Sequence, residues 1–188
     1  MSYIKIGALY SQDNSCEFVL WAPFASSVDV KFVYPEQYII AMDRDVKGYW
    51  RKTVNGISPG CRYFYLVDGT TQRPDPASAY QPEGVHGPSE VIDHAAFTWT
   101  DSKRKIPAPD RMIFYEIHTG TFTLEGTFDA IIPVLPELKD LGITALELMP
   151  VAQFPGERNW GYDGVYPYAV QNSYGGPDGL KRLCDACH

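Results

Sequence analysis

The segment between Pro150 and Pro177 concentrates residues whose chemistry suits the binding of a sugar. It contains several glycines, the carboxylate Asp163, and a set of aromatic residues: Phe154, Trp160, Tyr162, Tyr166, Tyr168 and Tyr174. Flat aromatic rings pack against the C–H faces of sugar rings, while Asp and Asn side chains hydrogen-bond to hydroxyl groups. The alternative is that these rings pack the loop on itself, as a long ordered loop requires. From residue types alone, both interpretations of the segment Asn159–Tyr168 stay open: a sugar-binding loop, or a loop packed by its own rings.

Other ionisable residues lie on or near two predicted strands. Glu116 is close to the end of the first strand and Asp163 is in the aromatic loop, so both carboxylates could face one site. Two carboxylates flanking a glycosidic bond are the minimum for hydrolysis. The alternative for Glu116 is an ion pair with a basic group, and the alternative for His118 is a hydrogen-bonded position in the core. Glu147, in the middle of the second strand, is expected to make a structural ion pair or hydrogen bond.

The cysteines do not predict a cofactor. Residues Cys184–His188 match the C-x-x-C-H pattern of haem attachment, but such attachment belongs to exported proteins. Helical spacing instead predicts one buried stripe made of Leu180, Leu183, Cys184 and Cys187. A zinc site would need two further ligands, and Cys16 and Cys61 lie in the other domain. We expect four reduced, buried thiols, no metal and no cofactor. P-loop, Rossmann and G-x-S-x-G patterns are absent from the sequence.

Composition and charge argue against several classes of function. The 188 residues carry a net charge of −7, whereas nucleic-acid binding requires clustered Lys and Arg. The densest basic stretch, Lys103–Lys105, is predicted to be solvated. No apolar run is long enough to span a membrane. The start of the sequence shows no secretory signal, so a cytoplasmic location is expected.

The first part of the sequence is typical of a β-sandwich. Short runs rich in Val, Ile and aromatic residues recur about every ten residues, at 18–22, 27–33, 38–42, 49–54 and 62–69. Pro, Gly, Asn and Ser separate them, which predicts an immunoglobulin-like β-sandwich over residues 1–72. Val28, Val30 and Phe32 alternate with polar residues and are predicted to face its core. The Pro- and Gly-rich residues 73–108 are interpreted as an ordered connecting segment.

The remaining part predicts alternating strands and helices. The predicted elements are a strand at 111–118, a helix from Pro136 to Gly142, a strand at 143–151 and a helix opening at Pro177. A right-handed crossover between the strands makes them parallel. A complete eight-unit barrel takes about 250 residues, and residues 109–188 number 80. We therefore predict the first units of a (β/α)8 barrel, with the barrel incomplete in this chain.

Long stretches of the sequence resemble the α-amylase superfamily of glycoside hydrolases. The stretches from the barrel are FYEIHTGTFT (114–123), GITALELMPV (142–151) and FPGERNWGYDGVYPYAVQNSYGGPDGLKRL (154–183). The segments LWAPFASSVDVKF (20–32) and YFYLVDG (63–69) resemble the β-sandwich that precedes the barrel in these enzymes. Residues 73–91 are similar to the malto-oligosyltrehalose trehalohydrolases, with glycogen branching and debranching enzymes as close neighbours.

The resemblance implies a retaining enzyme acting on α-glucosidic bonds, with a maltooligosaccharide or related α-glucan as ligand. Its Asp nucleophile, Glu acid/base and stabilising Asp follow later barrel strands, so no catalytic residue is assigned here. Trp160, Tyr162 and Asp163 match the stretch that lines the subsite next to the cleavage point. There, Tyr162 would stack on a glucose ring and Asp163 would support that ring through hydrogen bonds. Glu116 and His118 are the further candidate binding residues.

The chain alone is therefore expected to lack glycosidase activity. Its two barrel strands would expose unpaired edges, which favours self-association. Two other functions stay open from the sequence: a carbohydrate-binding module without chemistry, and a structural domain packed on a barrel. Trp21 and Trp50 bear on this choice, and tryptophans in a strand pattern are more often core residues than sugar platforms.

Overall fold

The computed structural model describes residues 5–102, 104 and 106–188. The strands are β1 Gly7–Ser11, β2 Ser15–Trp21, β3 Val28–Tyr34, β4 Tyr38–Ala41, β5 Asp43–Arg44, β6 Tyr49–Asn55, β7 Arg62–Val67, β8 Thr71–Arg73, β9 Ser89–Glu90, β10 Phe114–Ile117, β11 Ala145–Leu148, β12 Ala152–Gln153 and β13 Tyr166–Val170. The α-helices are α1 Thr119–Phe122, α2 Phe128–Ile131, α3 Leu135–Asp140 and α4 Gly176–Cys187. Residues 1–4, which bear on the predicted absence of a secretory signal, lie outside the described residues. Two of the three residues of the predicted basic stretch also lie outside them.

Two antiparallel sheets form the amino-terminal part. One has the strand order β1–β2–β6–β5, and the other has the order β4–β3–β7–β8 with β9 also paired to β7. A single hydrophobic cluster contains residues from both sheets, so the sheets pack face to face. This confirms the predicted sandwich, and the five predicted strands correspond to β2, β3, β4, β6 and β7. The division of the chain at residues 72 and 108 stays a prediction, and β8 and β9 extend the second sheet from both sides of that first boundary.

Alternation along the strands places the sandwich core. Val28, Val30 and Phe32 are all buried, as predicted. The ring of Phe18 on β2 meets Phe32 edge-to-face, with centroids 5.5 Å apart, and meets Tyr63 on β7 at 4.9 Å. Each such aromatic pair adds about 0.5–1.5 kcal/mol to the free energy of unfolding beyond the area it buries. These rings therefore fix how the two sheets stack.

The two tryptophans of the sandwich have opposite environments. Trp50 is buried, as expected, and its indole N–H donates to the carbonyl of Ala22 at 3.0 Å. Trp21 is 58% exposed, so its expected place in the core is wrong. The reason is its position in the strand: Phe18 and Leu20 face the core, and the next residue of β2 faces solvent.

A buried polar network joins the connecting segment to the second sheet. The hydroxyls of Tyr63 and Tyr65 donate to one carboxylate oxygen of Asp75, at 2.7 and 3.3 Å. The backbone N–H of Asp75 donates to the Ser89 hydroxyl at 2.9 Å, and this hydroxyl donates to the side chain of Gln81 at 2.6 Å. Asp75, Ser89 and Gln81 are all buried. The segment after β8 is therefore held to the sheet by side chains as well as by backbone pairing.

Burial dominates the titration of this network. It raises the pKa of Asp75 to about 6, although the hydrogen bonds from Tyr63, Tyr65 and a backbone N–H act in the opposite direction. It also raises the pKa values of Tyr63 and Tyr65 well above 10. Both phenols therefore stay protonated at neutral pH and remain donors to the carboxylate.

The carboxy-terminal part contains a parallel pair of strands with helices on one face. β10 pairs with β11, with Phe114 beside Ala145 and Ile117 beside Leu148. Ile117 and Leu148 belong to a second hydrophobic cluster that includes residues of α2 and α4. This confirms the predicted strand–helix–strand order and the parallel pairing. The described residues supply the first units of a barrel and form no closed one.

The helical segments between these strands follow the proline rules. The Thr127 side chain accepts from the backbone N–H of Ala130 at 3.3 Å and caps α2. Pro133 lies in a 3-10 turn at Ile132–Val134 that separates α2 from α3. α3 begins one residue before Pro136, which takes a position in the first turn where its missing N–H costs no hydrogen bond.

The four cysteines are free thiols. Cys16 and Cys61 are buried in the sandwich, as expected. The predicted buried stripe on α4 is only partly correct, because Cys184 is half-buried and Cys187 is exposed. The second hydrophobic cluster contains Leu183, with Leu180 packed against it, and neither cysteine of α4 belongs to it. In the part of the chain that the structure describes, no helix has the length and apolarity needed to cross a bilayer.

The raised pKa of Asp75 predicts an unusual dependence of stability on pH. The folded state holds this proton up to pH of about 6, whereas the unfolded carboxyl loses it near 3.8. The folded state binds more protons in that window, so the free energy of unfolding falls by about 3 kcal/mol as pH rises through it. Urea unfolding of Asp75→Asn should lack this component of the slope.

Tyr63→Phe provides the matched comparison for that experiment. It removes the donor that most lowers the pKa of the folded carboxyl, so the upper end of the window of falling stability should move to higher pH while the lower end stays near 3.8. Parallel curves for the wild-type protein and Asp75→Asn between pH 4 and pH of about 6 would contradict the assignment.

Candidate functional site

The predicted sugar-binding loop connects β12 to β13. These strands form a short antiparallel hairpin whose register shifts between Ala152 and Gln153. Residues 154–165 connect the two strands, and they follow β11 in the chain. In α/β barrels the segments that follow strands build the active face. The loop follows the second strand of the parallel pair, as predicted, whereas the hairpin was not predicted, because two residues of β12 are too few to show alternation.

The aromatic residues of this region divide into two groups. Phe154, Tyr166 and Tyr174 are buried. Trp160, Tyr162 and Tyr168 are 75%, 67% and 64% exposed. The interpretation that the rings pack the loop on itself is confirmed for the buried set, and the sugar-binding interpretation stays a prediction for the exposed set. The buried rings pack the region on itself, and the exposed rings are open to a ligand.

Asn159 organises the loop at its centre. Its side-chain oxygen accepts from the backbone N–H of Gly161 at 2.7 Å, and its side-chain nitrogen donates to Asp163 at 3.2 Å. Its backbone carbonyl lies 2.6 Å from Nε2 of His118 and 3.4 Å from the Tyr174 hydroxyl. Burial raises the pKa of Tyr174, so that hydroxyl stays protonated. Asn159 thus connects the end of β10 with the residues around Trp160.

Two buried glutamines hold the base of the loop. The side-chain oxygen of Gln171 accepts from the N–H of Phe154 at 2.9 Å, and its nitrogen donates to the carbonyl of Gly156 at 3.0 Å. Gln153 and Asn172 are joined twice, by a side-chain pair at 3.2 Å and by a backbone N–H donated to the Gln153 oxygen at 2.9 Å. Buried amides must be satisfied in this way. Sequence reasoning missed both glutamines, since polar residues beside a loop normally indicate exposure.

The connecting segment contacts the same hairpin. The hydroxyl of Tyr166 donates to the carbonyl of Val85 at 2.9 Å, and the Asn172 side chain donates to the carbonyl of Pro82 at 3.1 Å. Gly176 at the start of α4 lies against the ring of Tyr80, where a Cβ would come within 2.8 Å of the ring. The turn at residues 82–87 is therefore hydrogen-bonded to Tyr166 and Asn172, which flank the end of the loop.

The predicted site residues occupy two locations. His118 contacts Asn159 and is thereby brought together with Asp163 and the loop. Glu116 is exposed and lies beside Glu147 in the parallel register, on the face of the sheet that the helices leave uncovered. Glu147 is also exposed, and the expectation that it makes an ion pair or hydrogen bond stays a prediction. Direct contacts of the five candidate residues with a sugar stay predictions.

The arrangement suits binding without a metal among the residues described. No group of three or more His, Cys, Asp and Glu side chains within 5–102, 104 and 106–188 could hold a metal ion. The exposed rings of Trp160 and Tyr162 supply flat apolar faces, and Asp163 supplies an acceptor beside them. Apolar faces with a few oriented polar groups are the usual composition of a small-molecule site.

Gly161 is the residue on which the loop conformation can be tested. Its φ is +94°, and a Cβ there would overlap the carbonyl oxygen of Pro150. Gly156 has a φ of +74° with open space around it, so it is the matched control. We expect Gly156→Ala to lower the free energy of unfolding by about 1–2 kcal/mol through backbone strain. Gly161→Ala should cost about 1–3 kcal/mol more through overpacking. Equal costs in urea unfolding would contradict a role for the close approach of Gly161 to Pro150 in shaping the loop.

Comparison with known proteins agrees with this geometry. The sequence profile described as alpha amylase, catalytic domain, matches residues 61–188. The profile of carbohydrate-binding module 48, an isoamylase N-terminal domain, matches residues 5–81. A malto-oligosyltrehalose trehalohydrolase from Saccharolobus solfataricus is 49% identical over 176 residues, which cover 94% of this chain and 31% of that relative.

Solved structures show the same relationship. A crystal structure from Salmonella typhimurium, provisionally described as an alpha amylase, is 42% identical with a TM-score of 0.92, over 97% of this chain and 31% of that one. A pullulanase from Anoxybacillus sp. LM18-11, complexed with maltotetraose, is 27% identical with a TM-score of 0.74, over 98% and 33%. The chain thus spans about a third of the length of the relatives it matches. With more than half of its residues matched by the catalytic-domain profile, the chain belongs to the α-amylase family.

Proposed function

We propose that this chain forms the amino-terminal part of an enzyme that acts on α-glucans and releases trehalose from a maltooligosyltrehalose. The observation that carries the proposal is the exposed pair Trp160 and Tyr162, in a loop whose base is hydrogen-bonded to the buried side chain of Gln171. The 49% identity to a malto-oligosyltrehalose trehalohydrolase supports the choice of substrate. A cytoplasmic location is part of the same proposal.

The proposed contacts are those implied by the family resemblance, and the exposure of the loop residues supports them. Tyr162 stacks on a glucose ring, and Trp160 offers a second face two residues away. Asp163 has one oxygen engaged by the Asn159 side chain at 3.2 Å, so the other is offered to a sugar hydroxyl. Glu116 and His118 complete the set of candidate binding residues at the end of β10. The unpaired edges of β10 and β11 are proposed to favour self-association.

A second candidate function rests on the sandwich. The sandwich matches carbohydrate-binding module 48, and Trp21 presents 58% of its surface to solvent. An exposed tryptophan on a sheet is a platform on which a sugar ring can stack. In this alternative the sandwich binds α-glucan without chemistry, independently of the aromatic loop.

Calorimetric titration with maltotetraose separates these two candidates. Trp160→Ala and Tyr162→Ala should each weaken binding about tenfold or more, the loss expected for a central aromatic contact. Trp99→Ala is the matched control, since Trp99 is a partly exposed tryptophan on the connecting segment. A loss with Trp21→Ala and none with Tyr162→Ala would favour the sandwich. Absence of any heat at about 10 mM sugar, well above a millimolar Kd, would contradict both candidates.

The reaction itself is tested in a chimera. The 176 residues aligned with the Saccharolobus relative replace the matching 31% of that enzyme. Trehalose release from maltooligosyltrehalose is then measured, and Tyr162→Ala in the chimera should lower kcat/KM about tenfold or more. A chimera that binds maltotetraose but releases no trehalose would contradict the proposed substrate and leave glucan binding intact.

A further inference from the structure

The carbonyl group of Asn159 receives two hydrogen bonds from distant parts of the chain. Nε2 of His118 lies 2.6 Å from this oxygen, and the Tyr174 hydroxyl lies 3.4 Å from it. A carbonyl oxygen can only accept, so Nε2 of His118 must carry a hydrogen and donate it. The short distance thereby assigns the tautomer of the ring.

The other ring nitrogen of His118 is also engaged. Nδ1 lies 3.1 Å from the hydroxyl of Thr121. With the hydrogen on Nε2, the neutral ring has an acceptor at Nδ1, and Thr121 donates to it. Both ring nitrogens therefore have hydrogen-bond partners within the protein, and neither is left to bind a sugar hydroxyl.

Close packing fixes the position of the ring. His118 meets Tyr174 edge-to-face with centroids 6.1 Å apart, and Tyr174 in turn packs against Phe128 and Phe154 at 5.9 and 5.6 Å. A Cβ at Gly120 would come within 2.9 Å of Tyr174 and 3.1 Å of His118. The close approach of these two rings therefore requires a glycine at that position.

The anchored carbonyl belongs to the residue that shapes the loop. The Asn159 side chain accepts from Gly161 at 2.7 Å and donates to Asp163 at 3.2 Å, and Trp160 is the next residue in the chain. Displacement of Asn159 would therefore shift the exposed rings of Trp160 and Tyr162 and the carboxylate of Asp163. The path from His118 to the loop is a single hydrogen bond long.

We infer that His118 is a positioning residue, which with Tyr174 anchors the Asn159 carbonyl and so presents Trp160 and Tyr162 to an α-glucan. The inference rests on the proposed function, and it replaces a direct contact between His118 and sugar by an indirect one. His118, directly after β10, thereby holds Asn159, which lies 41 residues further along the chain.

The first experiment needs no sugar. Hydrogen exchange of the Gly161 N–H, followed by NMR, reports its bond to Asn159, and His118→Ala should lower its protection about tenfold. His118→Gln keeps an N–H donor and should restore most of the protection. His86→Ala, at an exposed histidine, is the matched control. Slow exchange in β2 and β6 should be unchanged, which separates a local loss from unfolding.

The second experiment measures maltotetraose binding of the same variants by calorimetry. His118→Ala should weaken binding about tenfold, with rescue by His118→Gln and a smaller loss for Tyr174→Phe. Unchanged Gly161 protection in His118→Ala would overturn the inference, as would weakened binding that His118→Gln fails to rescue. Loss of protection in a protein that never binds glucan would support the anchoring of the loop and overturn only the proposed function.

Discussion

The backbone of residues 154–165 has no sheet partner along most of its length, and side chains supply the hydrogen bonds that it needs. A peptide group that is buried without a partner costs free energy comparable to a lost hydrogen bond. Gln171 meets this need at Phe154 and Gly156, and Asn159 meets it at Gly161. The exposed rings depend on this frame, because they contribute little packing of their own.

The same constraint explains why the sandwich and the loop are connected. The turn at residues 82–87 offers one carbonyl group to Tyr166 of the hairpin and one to Asn172, just after it. The Gln81 side chain donates to the carbonyls of Gly84 and Gly87 within that turn. Gln81 in turn accepts from the Ser89 hydroxyl of β9, and Ser89 accepts from the N–H of Asp75, whose carboxylate accepts from Tyr63 and Tyr65 of β7. A polar network thus runs from the second sheet to the base of the loop. The connecting segment is thus held by hydrogen bonds on both sides, which its Pro- and Gly-rich sequence does not by itself reveal.

Local patterns were sufficient to predict much of the fold. Alternation at Val28, Val30 and Phe32 and the proline positions around α3 report local geometry, and the structure follows them. The errors concern tertiary partners. Trp21 was expected in the core because its type favours burial, yet strand phase placed it outside. Asp75 and Gln171 are buried because distant groups satisfy them, and such partners leave no periodic trace in a sequence.

Some features of the candidate site could likewise be predicted from the sequence, and others required the structure. The resemblance to the α-amylase superfamily singled out Trp160, Tyr162 and Asp163, whereas residue types alone indicated only an aromatic segment between Pro150 and Pro177. The partner of His118 was not recognisable, because 41 residues separate it from Asn159. The division between buried and exposed rings also required the structure, as all of them lie in one short segment. Only the packing shows that Phe154 and Tyr174 are part of the frame.

The exposure of three aromatic rings in the loop supports the proposal that the loop binds a ligand. Single apolar residues on a surface are ordinary and need no explanation. Here Trp160, Tyr162 and Tyr168 lie within nine residues, each more than three-fifths exposed, while Phe154 and Tyr174 close by are fully packed. A loop selected only for its own stability would bury its largest rings, because about 25 cal/mol is gained per Å² of apolar surface removed from water. Stability therefore accounts for the inner rings, and the exposure of the outer rings supports the proposal that they contact a ligand.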